Sequence, residues 1–154
     1  MFVWFWEYIL FIIASNEVVK NLKCIPMKQK LLIVEDNKFM KALLNNLFIE
    51  KFDVFCASNG FEALEWMYEG NMPTIIISDL KMPDMDGIEF LLNIRGSAFY
   101  SKVPLVMLSG VEKSNERIRC LQLGANDFLL KPFNPEELEL RIDKLLNQPS
   151  YGNQ

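Results

Sequence analysis

Short apolar runs and helical repeats alternate along most of the chain. LLIV (31–34) is a continuous apolar run, the pattern of a strand buried on both faces. In NKFMKALLNNLFIE (37–50), Met40, Leu43, Leu44 and Leu47 then recur at helical spacing. DVFCAS (53–58) reads as a second strand, and Asn59-Gly60 opens a helix with Phe61, Leu64 and Tyr68 on one face. TIII (74–77) is a third strand running into Asp79, followed by the helical IEFLLNIR with Ile88, Leu91 and Leu92. VPLVMLS (103–109) is a fourth strand. A helix over about 112–123 stops at Gly124, a natural left-handed C-cap. DFLLK (127–131) is a short fifth strand. Asn134-Pro135-Glu136-Glu137 combines a capping side chain, a proline at the first helical position and acids facing the positive end of the dipole. Leu138, Ile142, Leu145 and Leu146 form that helix's buried face.

Repeated strand–helix units imply a parallel sheet with helices on both faces, and right-handed crossovers make it doubly wound. Reactive groups in such sheets gather at the carboxyl ends of the strands. Glu35 and Asp36 end the first strand, Asp79 the third, Ser109 the fourth and Lys131 the fifth. An acidic pair, a lone carboxylate, a hydroxyl and a lysine therefore converge on one rim.

Composition narrows the chemistry. The 154 residues suit one domain with a real core. Net charge is −4 and no long basic run occurs, which argues against nucleic-acid binding. There is no histidine, and Cys24, Cys56 and Cys120 stand far apart. Structural zinc and a Ser-His-Asp triad are thereby disfavoured, and the cysteines read as reduced residues of a cytoplasmic protein.

Residues 1–26 differ from the rest and are set apart from a domain spanning 27–149 and a flexible tail at 150–154. MFVWFWEYILFIIA is apolar and aromatic, interrupted only by Glu7. It is shorter than the roughly 20 residues of a spanning helix, and no basic n-region precedes it as in a secretory signal. It reads as a membrane-contacting segment, as a hydrophobic helix docked on this domain or a partner, or as translated sequence upstream of the natural start. Met27, followed by KQKLLIVEDN, favours the third reading.

Carboxylates crowded on one rim repel each other and call for a cation. With no histidine or cysteine offered, an all-oxygen site favours Mg²⁺, with Mn²⁺ as a second choice, over zinc. A lysine and a hydroxyl opposite suit phosphate oxygens. A carboxylate can also attack phosphorus to give an acyl phosphate. Asp79, alone on a central strand between the acidic pair and Ser109 with Lys131, is the expected nucleophile. The turn after it has its own logic: Pro83 stiffens the loop, and Gly87 permits a tight approach ahead of the next helix.

LLIVEDN, SDLKMPDMDG, VMLSG and NDFLLKPF, in that order and at those spacings, resemble the receiver domain of two-component response regulators over roughly residues 28–149. The resemblance implies a flavodoxin-like three-layer fold, with five helices and strand order 2-1-3-4-5. It implies that Asp79 accepts a phosphoryl group from a sensor histidine kinase or a histidine phosphotransfer protein. Asp36, Asp79 and the backbone carbonyl of Lys81 would bind Mg²⁺, with Glu35 in support. Ser109 and Lys131 would contact the phosphoryl oxygens, and Lys131–Pro132 resembles the family's cis peptide. Phe128 matches an aromatic switch position: as Ser109 is drawn to the phosphoryl group, Phe128 would turn inward. The surface of the fourth helix, fifth strand and fifth helix would then change partners, and phosphorylation-dependent homodimerisation is one outcome.

Blander readings exist for single residues. Glu35 and Asp36 fit helix-capping acids, Lys131 a solvated strand end, and Phe128 ordinary core. Asp84 and Asp86 are assigned to turn and cap chemistry. A covalent phosphatase would place a second aspartate two residues after the nucleophile, where Lys81 stands, so no enzymatic turnover beyond self-phosphorylation and self-dephosphorylation is expected. With room for one helix after Lys131, the expectation is a stand-alone switch. A relay intermediate and a phosphorylation-independent interaction domain are the alternatives. Membrane contact is expected only if residues 1–26 are native.

Overall fold

Every residue from Leu31 to Val34 and from Ile75 to Asp79 is buried, as the unbroken apolar runs require of strands covered on both faces. The computed structural model describes residues 28–110 and 114–147. Strands β1 (Lys30–Val34), β2 (Asp53–Ala57), β3 (Ile75–Asp79), β4 (Leu105–Ser109) and β5 (Asp127–Leu130) alternate with helices α1 (Lys38–Phe48), α2 (Gly60–Tyr68), α3 (Gly87–Gly96), α4 (Ser114–Gln122) and α5 (Pro135–Leu146). All strand pairs are parallel, in the order β2-β1-β3-β4-β5. The doubly wound, flavodoxin-like expectation is met.

Strand side chains alternate between two cores. Leu32, Val34, Ile76, Leu105, Met107 and Phe128 face the layer of α2, α3 and α4, where Leu64, Met67, Phe90, Leu91, Ile94 and Cys120 meet them. Leu31, Ile33, Ile77, Val106, Leu108 and Leu129 face α1 and α5 through Leu44, Phe48, Leu138 and Ile142. A one-residue slip of any central strand would swap its cores. The register therefore fixes the strand ends: Val34 pairs with Ser78, Asp79 with Leu108, and Ser109 with Leu130.

Helix starts follow local chemistry. Asn37 and Asn59 accept backbone N–H groups as N-caps of α1 and α2, and Asn134 does so ahead of Pro135. Asp86 and Glu89 form a reciprocal capping box at α3, so Asp86 has the capping role expected of it. Asp84 sits in the preceding turn at φ 66°. Gly124 follows α4 at φ 103°, where glycine carries no steric penalty.

Three helix faces differ from the sequence reading. In α1, Leu43 is exposed, and Leu44 and Phe48 form the anchor. In α2, Phe61 and Tyr68 point to solvent, and Gly60, Ala63, Leu64 and Met67 are buried. The cause is close packing: a Cβ on Gly60 would meet Met85 Sδ at 2.6 Å, so the helix approaches its neighbour on its small residues. In α3, Leu92 is exposed, and Phe90, Leu91 and Ile94 carry the burial. β4 starts at Leu105, after Pro104, and β5 ends at Leu130, leaving Lys131 just beyond it. Residues 1–26 and 150–154, set apart above, lie outside the described residues.

Candidate functional site

The site forms where β1, β3, β4 and β5 end together. Glu35 continues β1 by one residue, its N–H donating to Ala57 O at 3.0 Å. Its side chain is only 1% exposed. Oε1 accepts from the Asn37 N–H at 3.1 Å, and Oε2 accepts from Lys131 Nζ at 2.6 Å. Asp36, the next residue, is exposed at the mouth of the cleft. Asp79 ends β3 and is 8% exposed. Its Oδ1 accepts from the Leu80 N–H at 2.8 Å and lies 3.1 Å from Lys131 Nζ.

Lys131 reaches this pair from the far side of the sheet. Its own N–H donates to Ser109 O at 2.7 Å, which extends the β4–β5 ladder by one rung, and the Lys131–Pro132 bond is cis. Ser109, fully buried, ends β4. Lys131, Glu35 and Asp79 thus form one buried charge cluster joining strands that are distant in sequence. Asp36 joins it at the edge: ligand oxygens of Glu35, Asp36 and Asp79 all lie within 4.8 Å of one another.

Among the described residues three carboxylates gather round one paired ammonium group, so the cluster carries excess negative charge. The strain shows at Glu35, whose carboxyl pKa is pushed above its ordinary value. Burial is the main cause and the Asp79 charge adds to it, while the Lys131 hydrogen bond opposes both. A small, hard cation is the natural remedy. The donors are all oxygen, which suits Mg²⁺ and does not suit a soft metal.

A tight backbone crossing fixes the loop after Asp79. The Gly87 N–H donates to Leu80 O at 3.0 Å, and a Cβ on Gly87 would meet Asp79 O at 2.3 Å. Lys81 projects outward, with Nζ 3.8 Å from Glu116 Oε1 on α4. The cleft has a volume of about 530 Å³ and is bordered on the α1 side by Phe39, Met40 and Leu43. Phe128 belongs to the core beneath α4 and is 4% exposed, so its ring already points inward. An inward turn of this ring on phosphorylation would thus start from a buried position. Sequence reading did not anticipate Glu116, or the apolar α1 border of the cleft. Neither carries a local motif, and only the fold brings them near.

The family model described as a response regulator receiver domain matches residues 31–143. The curated protein "Probable transcriptional regulator ycf27" of Porphyridium aerugineum is 36% identical over 122 residues, which cover 79% of this chain and 49% of that protein. Histidine kinase P4 of Formosa agariphila is 32% identical over 134 residues, 87% of this chain and 10% of the kinase. The chain therefore spans about half or less of the length of these relatives. Among solved structures, the receiver domain of the sensor histidine kinase PA1611 from Pseudomonas aeruginosa PAO1 matches with a TM-score of 0.70 and 28% identity. The match covers 77% of this chain and 98% of that domain, which has a magnesium ion coordinated in its active-site cleft.

Proposed function

The chain belongs to the response regulator receiver domain family, and on that premise we propose that Asp79 is its phosphoacceptor in a Mg²⁺-dependent two-component signalling step. The observation that carries the reading is the buried Glu35–Lys131–Asp79 cluster, with Asp36 completing an oxygen-only set at its edge. Asp36, Asp79 and the Lys81 carbonyl would hold the ion, with Glu35 in support. When bound, the ion neutralises charge on the transferring phosphoryl group and the acids around it.

The chain's own groups do the rest. Asp79 Oδ1 accepts from the Leu80 N–H and is ion-paired with Lys131, so attack on phosphorus would fall to Oδ2. The bond from phosphorus to the donor's leaving group breaks as the new O–P bond forms. Lys131 keeps its ammonium group beside Asp79 and receives a phosphoryl oxygen as the charge moves outward. Ser109 supplies a hydroxyl from the end of β4. Its movement and a repacking of Phe128 would transmit the change to the face formed by α4, β5 and α5, by shifting the balance between two existing arrangements.

The donor would be a phosphohistidine of a sensor kinase or phosphotransfer protein, and the output a change of protein partner. A relay role has one observation in its favour, the likeness to receiver segments within histidine kinases. Transfer of label from the phosphorylated chain to a histidine phosphotransfer protein would distinguish relay from switch. The stand-alone expectation has a parallel in the chemotaxis response regulator CheY4 of Vibrio cholerae, which matches at 29% identity with a TM-score of 0.70 over 98% of that chain, whereas the curated relatives are longer chains.

The primary test is intact mass after incubation with Mg²⁺ and acetyl phosphate. One hydroxylamine-labile phosphoryl group is expected on the wild type, and none on Asp79→Asn or with EDTA. An adduct that persists in Asp79→Asn, or no adduct on folded protein with Mg²⁺ bound, would refute the assignment.

A further inference from the structure

The face shared by α2 and α3 carries large apolar side chains that no described residue covers. Phe61 is 57% exposed, Tyr68 69% and Leu92 48%. They border two adjoining hollows of about 720 and 460 Å³, with Tyr68 and Asn93 lining both. Leu64 and Met85, both buried, line the larger one, and Glu65 and Glu69 line it as well. Contiguous exposed apolar surface of this kind marks an interaction site. It lies on the opposite face of the sheet from α1 and α5, and its side chains take no part in the Asp79 cleft.

We propose that this groove is the docking site of residues 1–14 of the same chain, MFVWFWEYILFIIA. Three observations select this occupant. The first is chemistry: Glu7 is the one charged residue in the segment, and Trp4, Phe5, Trp6 and Phe11 supply rings that water disfavours. The second is reach. Lys30, at the start of β1, donates from Nζ to Asn71 Oδ1 at 2.7 Å and stands 5.6 Å from the Trp66 ring. Trp66 stacks on Phe55 of β2 and Asn71 follows the carboxyl end of α2, so the chain enters the domain at that end of α2 and the linker has to pass round the helix to reach the groove. Residues 15–29 can extend at about 3.3 Å each, roughly 50 Å in all, several times the length of α2 at about 1.5 Å per residue. The third is charge. The connecting stretch carries Lys20, Lys23 and Lys28 against the single acid Glu17, and the groove it must pass carries Glu65 and Glu69.

The inference is independent of the phosphoacceptor reading, since its test involves no phosphate chemistry. Docking requires no partner, because the tether holds the segment near the groove at an effective concentration on the order of millimolar. It would cover the α2–α3 face and leave both the Asp79 cleft and the α4–β5–α5 surface open.

The experiment uses the full chain with photoreactive p-benzoylphenylalanine in place of Tyr68, and a second version with it in place of Leu140, on α5 across the sheet. After irradiation, trypsin releases residues 1–20 as one peptide, because Lys20 is the first basic residue. The expected result is this peptide joined to position 68 within monomeric protein, and not to position 140. Adding Trp4→Asp and Trp6→Asp should lower the yield by about tenfold or more, since two large apolar contacts are lost. Crosslinking of position 68 only between two chains would assign the groove to a second copy and overturn the proposal. Absence of the peptide 1–20 adduct would overturn it too, as would a segment that binds phosphatidylcholine–phosphatidylglycerol vesicles with position 68 left unlinked.

Discussion

Gly87→Ala should be among the most damaging single-atom additions in this domain, and the geometry says by how much. The new Cβ would stand 2.3 Å from Asp79 O, 2.9 Å from Leu80 Cα and 3.0 Å from Met107 Sδ. Met107 can shift its sulfur, but the other two contacts are backbone at the end of a central strand. Relief therefore needs the start of α3 to move away from β3, which breaks the Gly87 N–H bond to Leu80 O. Overpacking of a core costs about 1–3 kcal/mol even where side chains can yield, so about 3 kcal/mol is expected here. For a domain of this size each kcal/mol is worth roughly 3–5 °C in Tm, giving a fall of roughly 10–15 °C. Gly96, in the same helix, is the internal control. A Cβ there meets nothing within 4 Å, so Gly96→Ala should be neutral or stabilising by up to about 1 kcal/mol through helix propensity. Thermal melts followed by circular dichroism measure both. Because the clash is with Asp79 itself, Gly87→Ala should also slow labelling by acetyl phosphate at a temperature where it remains folded. Equal melting temperatures for Gly87→Ala and wild type would refute the claim that this crossing is sterically full.

Other outcomes follow from the charge cluster and its frame. Lys131→Ala leaves Glu35 and Asp79 buried without their cation; the metal-free protein should lose about 3–5 kcal/mol, read by urea titration, with part recovered in Mg²⁺. Glu35→Gln should melt higher than wild type at neutral pH without metal. The Glu35 pKa is raised in the fold, so wild-type stability is fuller at low pH and falls as pH rises through the raised value. The gap between the two proteins should accordingly close on acidification, while Mg²⁺ should stabilise Glu35→Gln less. Arg95 donates to Ser101 O, Val103 O, Gly124 O and Asn126 Oδ1. Arg95→Ala should cost about 2–4 kcal/mol by urea titration through orphaned acceptors, with little change in the labelling rate of the folded protein.

How far the sequence reaches depends on whether a feature is set by local pattern or by packing. The β3 run into Asp79 was legible because three consecutive buried isoleucines leave an apolar signature, which Ser78 and then Asp79 break. The rim followed from topology once the strands were identified. The face of α2 was not legible. Its sequence GFEALEWMY is apolar on several sides, so Phe61–Leu64–Tyr68 and Gly60–Ala63–Leu64–Met67 both have helical spacing. Bulk favoured the first set, but contact with Met85 required the smallest residues, and the second set won. Likewise, the presence of Glu35 and Lys131 on one rim was readable. Their direct pairing across 96 residues, and the near-complete burial of Glu35, were not. Arg95 shows the same limit: nothing around an arginine near a helix end announces that it binds three carbonyls and a side-chain amide.

The charge count also orders the signalling step. Without metal, Lys131 is the one cation paired with Glu35 and Asp79 among the described residues, and Asp36 adds a third carboxylate beside them. Phosphorylation would turn the single charge of Asp79 into roughly −1.5 to −2 and so deepen the imbalance in a site already unfavourable enough to raise the Glu35 pKa. A divalent cation offsets more charge than the phosphoryl group adds, and the exposed position of Asp36 leaves it a ligand at the cleft mouth. Metal entry should therefore precede phosphoryl transfer, and loss of metal should disfavour the phosphorylated form. The buried acidic cluster thus accounts for both features of the proposed switch. It would lower the stability of the metal-free domain, and it would make the phosphorylated arrangement dependent on an ion that these carboxylates and the Lys81 carbonyl would hold.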